Sequence, residues 1–266
     1  MKTEVAILGG GNLGTALAKG LSRTKEATQK YNVTVTRRNV DLIKHLEDLN
    51  IRVTSNNAEA VKKSDVLVLA VQPTQVEELI SEIKSDLDPD RHLLISTITG
   101  LKNEEIAELT GPGFPIIRVM PNTAAAINQS MTCVERTSHK EAEKATIELF
   151  DMIGKTLLID TNLMEASTVL GACGIAFFLR YIRAASQGGI EVGFHAEDAQ
   201  FIAAQTALGA SALLLESGGH PEQEIDKVTT PKGCTIAGLN EMEHNGLSSA
   251  LIKGIKTSYE MIEKIR

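Results

Sequence analysis

The sequence predicts an α/β half over residues 1–160, in which strands and helices alternate, followed by an all-α half over residues 161–266. Three observations carry this. A short apolar run at the amino terminus passes through "GGGNLG" into a segment of helical composition. Further apolar runs follow, separated by charged amphipathic stretches. After Asp160 the chain turns into long segments rich in Ala and Gly.

Residues Thr3 to Leu8, "TEVAIL", have strand propensity, and "TALAKGLSR" beyond the glycines has apolar residues at helical spacing. Gly9, Gly11 and Gly14 between them satisfy GxGxxG, flanking Asn12 and Leu13. The first glycine permits a tight turn, the second lets phosphate oxygens reach the backbone, and the third lets helix pack closely on strand. A diphosphate then sits on free N–H groups at the helix start, so the first half reads as a Rossmann-type dinucleotide-binding domain.

The second strand, within "NVTVTRRN" (32–39), ends near Thr36, where an NAD site places an acid for the ribose hydroxyls. Arg37 and Arg38 stand there instead. Guanidiniums recognise phosphate oxygens in a planar, bidentate fashion, which favours NADPH and leaves NADH as the second choice. The bland alternative makes both arginines solvated turn residues.

"SDVLVLAV" (64–71) is a nearly continuous apolar run of the kind found in a parallel strand covered on both faces, and Pro73 stops it. Ligands collect beyond the carboxyl ends of such strands, so Ala70, Val71, Gln72 and Pro73 are expected to line the cofactor cleft. "HLLISTITG" (92–100), "PIIRVMPNT" (115–123) and "KTLLID" (155–160) are further strands. "VEELISEIKSDL" (76–87) and "KNEEIAELT" (102–110) read as covering helices whose acids face solvent.

The second half opens with two helices, 165–188 and 196–216, broken at Gly188-Gly189 and Gly218-Gly219. Arg180 and Arg183 interrupt the first as a membrane span, so it reads as a core helix of a soluble protein. Gly171, Gly174, Ala203, Ala207 and Ala210 permit close helix approach. So much apolar surface in about a hundred residues calls for a partner subunit, a self-sufficient monomeric bundle being the alternative.

Near the end, "TPKGCT" (230–235) is a loop feeding the helix "TIAGLNEME" (235–243). Two readings fit. A small carboxylate sits on the N–H groups around Gly233, Cys234 and Thr235, with the Thr235 hydroxyl contacting the rest of the molecule. Alternatively this is an ordinary helix start capped by Thr230 or Thr235. With no histidine or acid beside it, Cys234 lacks the base a thiol nucleophile needs.

The bulk numbers exclude several classes. A net charge of −7 leaves no excess of Lys and Arg to displace counterions from nucleic acid. Cys133, Cys173 and Cys234 are far apart and the six histidines are scattered as surface or loop residues, so no metal site is expected. The glycine loop interrupts any signal-peptide run, giving a cytoplasmic expectation.

Three segments, "RVMPNTAAAINQSMT" (118–132), "AAQTALGASALLLES" (203–217) and "TTPKGCTIAGLNEME" (229–243), resemble in order and spacing those of pyrroline-5-carboxylate reductases; with the glycine loop and "AVQP", the likeness spans nearly the whole chain. The resemblance implies reduction of the ring C=N of pyrroline-5-carboxylate to L-proline by a nicotinamide coenzyme, the last step of proline synthesis. It implies a homodimer through intertwined carboxyl-terminal helices, often assembled into a ring of dimers. It also implies that Gly233, Cys234 and Thr235 hold the substrate's carboxylate and ring, with Thr235 on the imine nitrogen as the catalytic contact. Met120, Pro121 and Asn122 would line the meeting point of nicotinamide and substrate, and Val71 and Pro73 would touch the cofactor.

The chain departs from the family pattern at Ala124 (commonly Pro), Gln72 (Lys), Lys232 (Gly), Arg183 (an acid) and "GACGIA" (171–176, where a Ser-Gly-Ser-Gly-Pro-like run is usual). These departures keep two rivals alive: reduction of a different cyclic imine acid, and an NADP-binding interaction protein without turnover. A hydroxy-acid reductase would need a helical lysine as acid/base in the second half, and none stands out. A deazaflavin-dependent NADP reductase would not need the long helical half.

Overall fold

The computed structural model describes residues 2–262 and 264. By internal packing they form two compact units, one from the described part of 1–173 and 259–266, the other Gly174–Ser258.

The first unit is built on β1 (Thr3–Leu8), β2 (Tyr31–Thr36), β3 (Arg52–Thr54), β4 (Val66–Leu69), β5 (Leu93–Ser96), β6 (Ile116–Met120), β7 (Ser130–Glu135) and β8 (Gly154–Ile159). They form one sheet in the order β3-β2-β1-β4-β5-β6-β7-β8. All neighbours are parallel except β6 and β7, which pair antiparallel through Val119 with Val134 and Met120 with Cys133. Its helices are α1 (Asn12–Leu21), α2 (Lys25–Lys30), α3 (Asn57–Lys62), α4 (Val76–Ile83), α5 (Asn103–Thr110), α6 (Lys140–Asp151) and α7 (Met164–Ser167).

Alternation within the strands explains why both faces are dry. Val5 and Ile7 of β1 pack on one side with Leu17 and Leu21 of α1 and Phe150 of α6. Ala6 and Leu8 pack on the other with Val61 of α3, Leu79 and Ile80 of α4 and Ile106 of α5. Continuous apolar runs such as "VLVL" are the sequence signature of a strand buried on both faces.

Of the two places expected for a histidine, surface or loop, His92 takes the loop before β5 and is buried there. It is 2% exposed, and its Nδ1 accepts a hydrogen bond from Asp88 N at 2.9 Å. Burial pushes its pKa down, with the Arg91 cation adding to the effect. A depressed folded pKa means that protonation favours the unfolded chain, so this stability is present above the ordinary value of about 6.5 and is lost as pH falls below it. Urea unfolding at pH 7.5 and 5.5 should show lower stability at pH 5.5, with a smaller difference in His92→Asn.

The second unit holds α8 (Gly174–Glu191), α9 (Ala196–Ser217), α10 (Pro221–Val228), α11 (Cys234–His244) and most of α12 (Leu247–Ile262). A π-helical stretch, Thr168–Cys173, joins α7 to α8. The continuous run Thr161–Glu191 is long and apolar enough to cross a membrane by length and composition. The core-helix expectation for it is not met within one chain, because only Gly174 and Ser186 of α8 are buried. Phe178 is 66% exposed, and Leu215 of α9 86%. A unit of this size lacks the interior volume to hide both helices.

The expected break at Gly188-Gly189 is also corrected, since α8 runs through both glycines and the chain turns at Gly193, where φ is +112°. A Cβ at Gly189 would come within 3.0 Å of the Ala199 Cβ, so this glycine serves helix packing rather than helix ending. Gly218 does end α9, in the left-handed conformation at φ +63°.

Candidate active site

The glycine loop has the geometry its spacing predicts. Gly9 has φ +119°, and a Cβ there would overlap the Ala70 carbonyl. A Cβ on Gly14 would strike the Gly9 carbonyl oxygen, while one on Gly11 would meet nothing within 4 Å. The loop is therefore packed against the protein at Gly9 and Gly14 and open at Gly11. Gly11 is also the N-cap of α1 and supplies no side chain to its first turn, so the free N–H groups there are available to an anion.

Beside the loop lies a cleft of about 440 Å³ that brings together Gly9, Gly11, Arg37, Arg38, Ala70, Val71 and Gln72 of the expected cofactor residues. Four others do not line it. Gly14 is buried beneath the loop, Leu13 is half-buried against the core, Asn12 is exposed, and Pro73 opens the turn into α4.

The two arginines differ. Arg37 Nη1 donates to the Gly10 carbonyl at 2.7 Å, tying the end of β2 to the glycine loop. Arg38 Nη2 lies 2.6 Å from Glu78 Oε2 on α4, with both side chains largely exposed. Glu82, one turn on, accepts from Asn57 Nδ2 at 2.8 Å, and both acids line the same cleft. The α4 acids are solvated as expected, and these two also border the cleft. Ser55 and Asn57 were missed as well; they follow β3, three residues too short to show any period.

At the end of β6, Met120 is 4% exposed and packs with Cys133, Ile159 and Met164, so its side chain belongs to the core. Pro121 is buried too. Asn122 spends its side chain on the protein: Oδ1 accepts from Ala124 N at 3.0 Å and Nδ2 donates to the Gly171 carbonyl at 3.0 Å. Its backbone N–H donates to Ser130 Oγ at 3.1 Å. The Ala124 N–H that Asn122 uses is one a proline would lack. Asn122 thus fixes the loop after β6 to the π-helical stretch.

Below it lies a buried charge cluster that sequence reasoning did not anticipate. Arg118 on β6 is 3.9 Å from Glu135 on β7 and 3.7 Å from Glu165 on α7. Asn103 Nδ2 donates to Glu135 Oε2 at 3.1 Å.

In the second unit, the loop before α11 is a tight turn in which Gly233 N donates to the Thr230 carbonyl at 2.9 Å. That bond corrects the expectation that the Gly233 N–H is free; those of Cys234 and Thr235, in the first helical turn, remain. Lys232 holds φ +61°, the left-handed region where glycine is at ease. The N-cap is Gly233, with no side-chain cap bond, so neither Thr230 nor Thr235 caps the helix. Thr229 Oγ1 donates to the Ile225 carbonyl at 2.8 Å, while Cys234 and Thr235 are exposed.

A parallel sheet carrying an open glycine turn, a cleft with two guanidiniums beside it, and a separate helical unit define a Rossmann-type dinucleotide-binding protein with a helical second domain. Comparison with known proteins sharpens this. Residues 161–265 match the family model described as pyrroline-5-carboxylate reductase dimerisation. Residues 4–100 match that of NADP oxidoreductase, coenzyme F420-dependent, which covers part of the dinucleotide-binding half.

Pyrroline-5-carboxylate reductase 2 of Dictyostelium discoideum is 43% identical over 98% of this chain and 92% of its own length. Pyrroline-5-carboxylate reductase 1 of the same organism is 46% identical over 96% of this chain, which spans only 48% of that relative. A crystal structure of Plasmodium falciparum pyrroline carboxylate reductase with NADP bound shares the fold, with TM-score 0.85 at 23% identity, covering 99% and 98% of the two chains. The chain belongs to the pyrroline-5-carboxylate reductase family.

Proposed function

We propose that this chain reduces the ring C=N of 1-pyrroline-5-carboxylate to L-proline, using NADPH in preference to NADH. The observation that carries the reading is the 43% identity across 92% of a relative bearing that activity in its name. The NADP-type domain match and the open face at Gly11 support the coenzyme.

Residues 1–160 are assigned to the coenzyme and 161–266 to substrate and subunit pairing. The exposed apolar residues of α8 and α9 support a homodimer, as does the dimerisation-model match over 161–265; rings of dimers are the proposed higher assembly.

When bound, the reduced nicotinamide supplies the hydride. Gly11, with Asn12 and Leu13 opening α1, offers backbone N–H groups to its diphosphate, and Arg37 and Arg38 serve its ribose phosphate. The N–H groups of Cys234 and Thr235 hold the substrate carboxylate on the α11 dipole. The Thr235 hydroxyl orients the imine nitrogen, and Lys232 beside it attracts the anion. Pro121 and the backbone of Met120 and Asn122 are assigned to the nicotinamide and the ring. No histidine or acid lies within 229–235, so the proton comes from solvent or arrives on the imine.

Loss of one hydrogen bond to a charged nitrogen costs about 1.5–3 kcal/mol, roughly 10- to 100-fold in rate. Thr235→Ala should therefore lower kcat/KM by that factor, and Thr235→Ser should recover most of it, as followed by loss of NADPH absorbance with pyrroline-5-carboxylate. No consumption by the folded wild type, together with coenzyme binding, would turn the conclusion to the interaction protein without turnover. Growth of a proline auxotroph rescued by the wild type checks the pathway.

A further inference from the structure

We infer that Glu78, seconded by Glu82, tempers the preference of the cleft for NADPH, weakening without reversing the hold of Arg37 and Arg38 on a ribose phosphate. The inference rests on the reading of this cleft as the coenzyme's ribose end. Glu78 and Glu82 stand four residues apart on α4, so both carboxylates project from one helix face. Both line the cleft together with the two arginines.

The charge pattern is asymmetric. Arg37 is anchored on the Gly10 carbonyl, an uncharged acceptor, and keeps its full positive charge with further N–H donors unspent. Arg38 is shared with Glu78 at 2.6 Å. A phosphate engaging Arg38 must either part it from Glu78 or accept a carboxylate as its neighbour. The pair has side chains 75% and 69% exposed, so parting it costs little. The greater penalty is repulsion between carboxylate and phosphate, which falls on NADPH alone. A free ribose hydroxyl suffers none of it, because a carboxylate accepts its hydrogen bond. Glu82, held by Asn57 Nδ2 at 2.8 Å, adds a second fixed negative charge.

The test is isothermal titration of the full-length protein with NADPH and, separately, NADH, reading dissociation constants rather than turnover. With a phosphate charge near −2 at a few ångströms in a solvated cleft, Glu78→Gln should tighten NADPH about 3- to 10-fold. NADH should stay level or weaken. The gain should shrink at about 1 M salt, where the screening length falls to roughly 3 Å. Glu77→Gln, on the same helix outside the cleft, should change neither constant. Equal shifts for both coenzymes in Glu78→Gln, or none, overturn the inference while leaving the cleft as the coenzyme site. Failure of the folded wild type to bind either coenzyme overturns the reading of the cleft itself.

Discussion

Gly14→Ala is expected to lower stability and abolish coenzyme binding together, whereas Gly11→Ala, three residues away, should affect binding alone. Alanine in a helix interior is normally favoured over glycine by about 1 kcal/mol. At Gly14 that gain is overridden, because the new Cβ would occupy the space of the Gly9 carbonyl oxygen, a backbone atom with no rotamer to escape into. Overpacking of this kind costs about 1–3 kcal/mol, and relief requires α1 to move off β1. That movement withdraws the α1 N–H groups from the turn, so coenzyme affinity should fall more than about 100-fold, the loss of two charge-assisted hydrogen bonds at about 1.5 kcal/mol each. At Gly11 a Cβ meets nothing within 4 Å, and φ of −78° suits any residue. The folded state should therefore change by less than about 1 kcal/mol, the difference between glycine and alanine at an N-cap. The methyl would nonetheless stand where the proposed diphosphate site meets the backbone. Urea midpoints and coenzyme titrations on the two variants separate these effects. Equal destabilisation by both would show that the loop is not packed as described.

The same contrast shows what the sequence made legible. GxGxxG and the runs "TEVAIL", "SDVLVLAV", "HLLISTITG" and "PIIRVMPNT" were readable because a two-face-buried parallel strand and its glycine turn impose local patterns. Strand β7 was not. Its residues Ser130, Thr132 and Glu135 are polar yet buried, so no apolar run announces them. Glu135 is satisfied from a distance, by Asn103, while the Ser130 and Thr132 hydroxyls lie 3.2 Å from each other on the strand. Gly188-Gly189 misled for a related reason: a glycine that ends a helix and one that admits a neighbouring helix look alike until Ala199 is placed beside it. Within the site, the arginines announced themselves by type. Glu78 and Glu82 did not, since an exposed acid on an amphipathic helix carries no local sign of the cleft it borders. The Thr235 assignment rests on resemblance, with the uncapped start of α11 as its local support.

The buried charges under β6 lead to the second large expectation. Arg118 has a side chain 4% exposed, between Glu135 at 6% and Glu165 at 16%. At 3.9 and 3.7 Å these are charge contacts rather than short hydrogen bonds, so the cluster persists on Coulomb attraction in a region that excludes water. Removing one member of such a cluster strands a buried charge, which costs about 3–5 kcal/mol. Arg118→Ala should therefore lower stability by that amount. It leaves Glu135 with the hydrogen bond from Asn103 and also deletes the arginine stem that fills the space. Arg118→Met keeps the stem and should cost less. Adding Glu135→Gln to Arg118→Met should recover part of that stability, because the more deeply buried of the two carboxylates is then neutral; a double-mutant cycle in urea measures the coupling. The expectation bears on function through position, since β6 ends at Met120 and Asn122 then bonds Gly171 in the helical run that α7 begins. Arg118 to Glu165 and Asn122 to Gly171 are thus two ties between one strand end and one helical run. If Arg118→Ala and Arg118→Met were both milder than about 1 kcal/mol, solvent would have to reach the cluster, and the strand face would not be the dry wall that its burial indicates.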